Sequence, residues 1–163
     1  FLDSSVQKPK FKESYNNIDL HLLGYLQTNK VRLAFENFKY IHTLDRIKLA
    51  RAIANEANKK GFCPKLFIQI NTGKEEQKTG IYPDEAINFI NDCIKNFELP
   101  VIGLMCLPPI DQDSNVHFKF LRSLAKKTGL NELSMGMSSD YEKAIKNGST
   151  FVRIGTAIFG RRE

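Results

Sequence analysis

The chain predicts an α/β protein built on a parallel sheet, and three observations carry that expectation. Short apolar runs of strand length alternate strictly with amphipathic helical stretches, six strands against five helices. The run KLFIQIN at 65–71 is nearly continuous in apolar residues, as a strand covered on both faces is. No Gly-rich dinucleotide fingerprint follows the first strand, which argues against a dinucleotide-binding sheet. A right-handed βα series closes as a barrel at eight strands or stays open as a doubly wound sheet. Six strands do not close a standard barrel, so the sheet is open or two units are missing.

Each element has its own justification. Residues 1–18 are polar and lysine-rich, and Pro9 interrupts any helix, so they read as a lead-in to a single domain over 19–163. The run DLHLLGYL at 19–26 is the first strand, and 27–38 carries Val31, Leu33, Ala34 and Phe38 at helical spacing. The second strand is 40–44. Asp45 is placed to cap an amphipathic helix over 46–60, with Ile47, Leu49, Ala50, Ile53, Ala54 and Ala57 on one side, and Gly61 ends it. After the third strand, 65–71, comes the polar loop TGKEEQKTGI, long enough to be functional. Pro83 then suits a first helical position, with Ala86, Ile87, Ile90 and Ile94 following. The fourth strand, 100–107, runs into Pro108-Pro109. Asp113 or Ser114 caps a helix to Lys127 carrying Val116, Phe120, Leu121, Leu124 and Ala125, and Gly129 stops it.

The last stretch, LSMGMSSDYEKAIKNGSTFVRIGTAIFG at 133–160, concentrates the chemistry. A strand ends in Ser134, Gly136 and Ser138, and Ser139 or Asp140 offers an N-cap to a short helix bearing Ala144 and Ile145. Gly148 closes that helix, and a β-branched strand over 150–154 breaks at Gly155 and Thr156. Two successive strand ends thus open into turns rich in Gly, Ser and Thr, where backbone N–H groups and hydroxyls converge on an anion. In (β/α)₈ barrels the phosphate site is frequently built from the loops after the last two strands. These turns read as a phosphate cradle.

Composition sets outer bounds. With 163 residues, 42% of them hydrophobic, one sizeable core and one domain are natural. No apolar run approaches the roughly 20 residues that span a bilayer, and the N-terminal stretch has no apolar h-region. Cys63, Cys93 and Cys106 form no CxxC pair, which fits a reducing compartment, so a cytoplasmic protein is expected. The net charge of +6 is scattered among acidic residues, without an aromatic-interleaved basic stripe, and does not point to nucleic acid.

The segments HLLGYLQTNK at 21–30, IHTLDR at 41–46, LFIQINTGKEEQKTGI at 66–81, IGLMCLPP at 102–109 and the 133–160 stretch resemble, in order, successive motifs of the pyridoxal phosphate homeostasis protein family. That family, also called proline synthase co-transcribed proteins, comprises single-domain relatives of the alanine racemase barrel domain. The resemblance implies a TIM-like (β/α)₈ barrel of the alanine racemase N-terminal type, here with about six of its eight βα units. It implies pyridoxal 5′-phosphate (PLP) as cofactor, with the phosphate held by Ser138 and by the Gly155-Thr156 turn, and Met137 beside it through its backbone. Arg153 matches the arginine that faces the cofactor, where a guanidinium favours an unprotonated ring nitrogen and a poor electron sink. Lys78 matches a family lysine near the cofactor mouth.

One departure accompanies the match. Family members hold the cofactor covalently through a Schiff-base lysine at the end of the first barrel strand, followed by a Gly-Glu-Asn motif; the nearest counterpart of that motif is Leu2, Asp3 and Ser4, and the lysine is absent. No catalytic residue is therefore assigned; a protein truncated or incompletely recorded at its N-terminus is the simplest account, a true six-strand paralogue is the alternative, and the expectation is a surviving phosphate site without covalent binding. The resemblance further implies a non-catalytic, monomeric carrier in PLP homeostasis, with PLP-dependent apoenzymes as partners. The alternatives are an amino-acid racemase, which needs a second base such as a tyrosine from another domain, and a truncated chain that binds nothing. His21, His42 and His117 fit structural or surface roles and no metal site is expected. Asp111 and Asp113 read as loop and cap residues, Asp45–Arg46 as a local ion pair, and Met105 and Cys106 as core.

Overall fold

The structure, a computed structural model, describes residues 18–160, so the lead-in over 1–18 lies outside the described residues apart from the exposed Ile18. Six strands form one sheet: β1 (His21–Leu22), β2 (Tyr40–Leu44), β3 (Lys65–Ile70), β4 (Val101–Cys106), β5 (Glu132–Met137) and β6 (Phe151–Arg153). They stand side by side in chain order, and each pairs parallel with the one before it. Chain order decides between the two expected topologies. Every crossover advances in the same direction, and right-handed crossovers then place all the helices on one face, as in a barrel and not in a doubly wound sheet.

The sheet is also strongly curled. Strands five apart in a flat sheet would lie about 24 Å from each other at a spacing of about 4.8 Å per strand. Yet the rings of His21 on β1 and Phe151 on β6 have centroids 5.6 Å apart. The result is a parallel half-barrel with a convex, helix-covered face and a concave interior. On the convex face Leu66, Ile68 and Ile70 of β3, Leu104 and Cys106 of β4, and Leu133 and Met135 of β5 join one apolar core. Period-2 alternation turns the intervening residues, Phe67, Gln69, Met105 and Ser134, to the interior.

The helices that close the core are α1 (Val31–Asn37), α2 (Ile47–Lys60), α3 (Ala86–Asn91), α4 (Ser114–Thr128) and α5 (Tyr141–Lys146), and the four-residue α6 (Thr156–Phe159) follows β6 without burying a residue. A 3₁₀ turn over Thr28–Lys30 leads into α1, and a π-helical turn over Asp92–Asn96 continues α3. Gly61 and Gly129 stop α2 and α4 in the left-handed conformation, as the sequence predicts. Asp113 caps α4 by accepting the Asn115 amide.

Several expectations need correction. The first strand is only two residues long, since the 23–27 segment leaves the sheet for the loop before α1. Asp45 does not cap α2: its carboxylate pairs with Arg46, whose other arm donates to the Leu26 carbonyl at 2.7 Å. Asp140 and Ser139 likewise give α5 no side-chain cap, because Asp140 Oδ1 accepts the Met137 amide at 2.7 Å instead. Pro83 sits in a turn ahead of α3, not at its first position. Helical phase departs from the apolar pattern on four helices. On α3 the buried residues are Ala86, Phe89 and Ile90, with Ile87 exposed and Ile94 exposed beyond it; on α4 Val116 and Phe120 are exposed, while His117 and Phe118 are buried. Ile47 and Ile145 also face outward.

Candidate functional site

The two turns expected to bind an anion do converge. Strand β5 ends at Met137 and β6 at Arg153, so Ser138 and Gly155 emerge from neighbouring strand ends. Ser138 Oγ accepts the amide N–H of Gly155 at 3.2 Å and of Ala157 at 3.3 Å. Two backbone amides thus aim at one oxygen, and the Ser138 hydroxyl keeps its own proton free to donate. Met137, Ser138, Ser139, Gly155, Thr156 and Ala157 line an open cavity of about 420 Å³. The Met137 amide is committed to Asp140, so Met137 contributes position but no free donor. Gly136, at φ +95°, lets the strand end approach α5, since a Cβ there would lie 2.6 Å from the Ala144 Cβ.

A second cavity, about 390 Å³, adjoins the first through Gly155 and is lined by His21, Leu23, His42, Phe151, Arg153 and Phe159 among others. Arg153 is its charged group. Only 8% exposed, it donates from Nη1 to Ser134 Oγ and from Nη2 to the Cys106 carbonyl, each at 2.8 Å. Its Nε is buried with no hydrogen-bond partner. A buried donor without a partner among the described residues is one that an acceptor on a ligand could satisfy. Burial pulls the Arg153 pKa below its ordinary value, with Cys106 and Asp140 opposing, and an arginine remains a cation regardless.

The interior holds a polar network that sequence reasoning missed. His42 Nδ1 lies 2.9 Å from Ser134 Oγ and His42 Nε2 lies 2.9 Å from His21 Nδ1. The His42 ring stacks on Phe67 with centroids 4.2 Å apart, and His21 stacks on Tyr40 at the same separation. Burial pulls the His42 pKa down to about 3, helped by His21 and Arg153, so the ring is neutral at pH 7. The signal was present in the alternation: YIHTL puts His42 on the face opposite Ile41, and LSMGM puts Ser134 opposite Leu133 and Met135. Polar residues on the inward phase of a buried strand mark a site. Cys106, by contrast, is a buried thiol pushed up to about 12 by desolvation, and is inert.

Lys78 lines neither cavity. The 72–80 loop is tied down from β3 by Gln69, which donates to the Thr79 carbonyl at 3.0 Å, and by Asn71, which donates to the Glu75 carbonyl at 2.7 Å. Within that loop Lys78 Nζ pairs with Glu75 Oε2 at 2.5 Å and reaches the Pro108 carbonyl at 3.4 Å. The structure therefore brings together Met137, Ser138, Gly155, Thr156 and, one wall away, Arg153, but sets Lys78 apart.

A parallel βα half-barrel whose last two strands end in adjoining turns has the arrangement in which (β/α)₈ barrels frequently place a phosphate site. Residues 11–163 match the alanine racemase N-terminal domain. The chain is 38% identical to the pyridoxal phosphate homeostasis protein of Aquifex aeolicus, covering 93% of this chain and 71% of that one. It is 38% identical to the protein of the same name from Haemophilus influenzae, over 99% and 73%. Among solved structures it is similar to PipY of Synechococcus elongatus without PLP, with a TM-score of 0.83 and 32% identity over 91% of this chain and 74% of that one. PipY with PLP bound matches at a TM-score of 0.79. Alanine racemase of Clostridium difficile, at 18% identity and a TM-score of 0.71, shares the fold. This chain belongs to the pyridoxal phosphate homeostasis protein family.

Proposed function

We propose that this chain binds pyridoxal 5′-phosphate and serves its intracellular homeostasis as a non-catalytic carrier. One observation carries the reading: the cavity at the Ser138 turn and the cavity lined by Arg153, whose buried Nε has no partner, share Gly155, so one ligand with a phosphate and a ring nitrogen can span both. PipY, a relative of known structure, has been solved with PLP bound, which supports the same ligand here. The Ser138 hydroxyl donates to the phosphate, and the Gly155 and Ala157 amides, already aimed at one oxygen, add fixed partial charge at little reorganisation cost. Arg153, a donor that cannot accept, holds the ring nitrogen unprotonated.

When bound, the cofactor supplies an aldehyde and an electron sink, and an unprotonated ring nitrogen weakens that sink. Retention without turnover follows from this arrangement. The other ionisable groups at the cavity wall fit the same reading. His42 is neutral and has both ring nitrogens in hydrogen bonds, so it is a poor proton carrier for a racemase.

Equilibrium dialysis of the 163-residue chain against PLP tests the proposal. Saturable binding is expected, and Ser138→Ala is expected to weaken it about tenfold, the loss of one charge-assisted hydrogen bond. Absence of saturable binding, or an unchanged affinity in Ser138→Ala, would overturn it.

A further inference from the structure

We infer that Ser134 and His42 are positioning residues, links in a one-way hydrogen-bond chain that orients Arg153 as a donor toward a ring acceptor in the cavity beside it. The inference rests on the PLP-binding reading and assigns its selectivity to residues that the ligand does not touch.

The direction of the chain follows from which groups can donate. Arginine has five N–H donors and no acceptor, so at the 2.8 Å contact Ser134 Oγ must accept from Arg153 Nη1. The Ser134 proton then needs an acceptor, and His42 Nδ1 stands 2.9 Å away. Neutral His42 with Nδ1 accepting carries its proton on Nε2, which donates to His21 Nδ1 at 2.9 Å. Every link is set by the one before it: Arg153 to Ser134, Ser134 to His42, His42 to His21. The reverse tautomer of His42 would aim two donors at Ser134 Oγ and leave the buried hydroxyl proton without a partner, which costs about the desolvation of one polar group.

Fixed polarity matters because of what it leaves over. Nη1 is held by Ser134 and Nη2 by the Cys106 carbonyl, so the plane of the guanidinium is pinned at two points and Nε is the nitrogen left with no partner. The His42 ring is itself clamped, stacked on Phe67 and edged by Phe151, so the serine cannot swing without disturbing two aromatic contacts. Removing the Ser134 hydroxyl frees Nη1, and the guanidinium can then rotate away from the ligand. The residues are distributed over β1, β2, β5 and β6, which makes the half-barrel's curl a condition of the site.

The test compares two ligands on the 163-residue chain: PLP, and its analogue in which C–H replaces the ring nitrogen. Wild type is expected to prefer PLP. Ser134→Ala should lose about tenfold in PLP affinity and change little for the analogue, removing most of the preference. Ser134→Thr, which keeps the hydroxyl, should restore it. His42→Phe should reproduce the loss, whereas His42→Asn, whose amide oxygen can accept the Ser134 proton, should keep most of the preference. Cooperative thermal unfolding of each variant confirms that the barrel is formed. Equal weakening toward both ligands, or no change toward either, would overturn the inference and leave the network a merely structural one. A wild type that binds no PLP overturns the functional reading and this one together; a wild type that prefers PLP beside a Ser134→Ala that prefers it equally overturns this one alone.

Discussion

The two faces of the same sheet are built on opposite principles. On the convex face, Leu66, Ile68, Ile70, Leu104, Leu133 and Met135 are buried against helices without a polar atom among their side chains except sulfur. On the concave face of the same sheet, His42, Gln69, Ser134 and Arg153 are also buried but hydrogen-bonded to one another or to the loops. Burial alone therefore does not separate structure from function in this chain. The convex face supplies free energy by removing apolar area from water, while the concave face holds polar groups whose stability depends on every partner being in place.

The contrast predicts how each face fails. Ile68→Ala on the convex side should cost about 3 kcal/mol of unfolding free energy through lost burial and a residual cavity, measured by chemical denaturation, with little dependence on pH. The concave side should fail by protonation. His42 has a folded pKa near 3 against an ordinary 6.5. The unfolded chain therefore binds the extra proton between these values, and stability falls as the pH is lowered from about 6.5 toward about 3, with no further contribution below that. At about 1.4 kcal/mol per unit the loss is on the order of 5 kcal/mol across the window. Denaturation curves at stepped pH should show this slope in wild type and a flatter one in His42→Phe, the carboxylate contributions being common to both. Equal slopes would mean that His42 is not held neutral by its surroundings.

Most of the fold was legible because it follows from periodicity. Strict βα alternation predicted six parallel strands, and β2 and β3 fall where the runs YIHTL and KLFIQI stand. The Ser138 and Gly155-Thr156 turns were legible for a related reason: strand ends in this topology deliver their turns to one rim. The illegible parts depend on which of two partners a polar side chain takes. Asp45 and Asp140 look like caps in sequence, yet each finds a competing donor, Arg46 and the Met137 amide, that only the folded geometry brings near. His42 and Ser134 are 92 residues apart, and nothing local announces that β2 and β5 face each other across a curled interior. The helical phase errors on α3 and α4 have a simpler cause: Ile87, Val116 and Phe120 are apolar residues on the flank of a wide stripe, and hydrophobicity alone cannot choose the face.

Gly136 is where β5 packs tightly against α5. Its φ of +95° is one an L side chain rarely adopts, and an added Cβ would meet Ala144 at 2.6 Å and the Tyr141 Cα at 3.0 Å. Gly136→Ala should therefore push α5 outward and cost about 2 kcal/mol from strain and displaced packing. Because β5 carries Ser134 inward and delivers Ser138 to the rim, the same change should also weaken PLP binding. A variant that loses stability but binds normally would mean that the strand end and the cradle are less tightly coupled than their spacing suggests.

Lys78 offers the smallest expected effect and the finest discrimination. It belongs to neither face: its loop is held by Gln69 and Asn71, and its ammonium is spent on Glu75 and the Pro108 carbonyl. If the concave network and the rim cradle alone define affinity, Lys78→Ala should leave reversible PLP binding within about twofold, because no ligand contact is removed. Stability should fall by about 1 kcal/mol, since the half-buried Glu75 carboxylate loses its counter-charge in a partly screened setting. Lys78→Met, which keeps the aliphatic stem, separates packing from charge and should show the same stability loss if charge is the cause. A tenfold drop in affinity with unchanged stability would place Lys78 in the binding site after all, and would require its loop to swing away from Pro108 toward the cavity at Gly155.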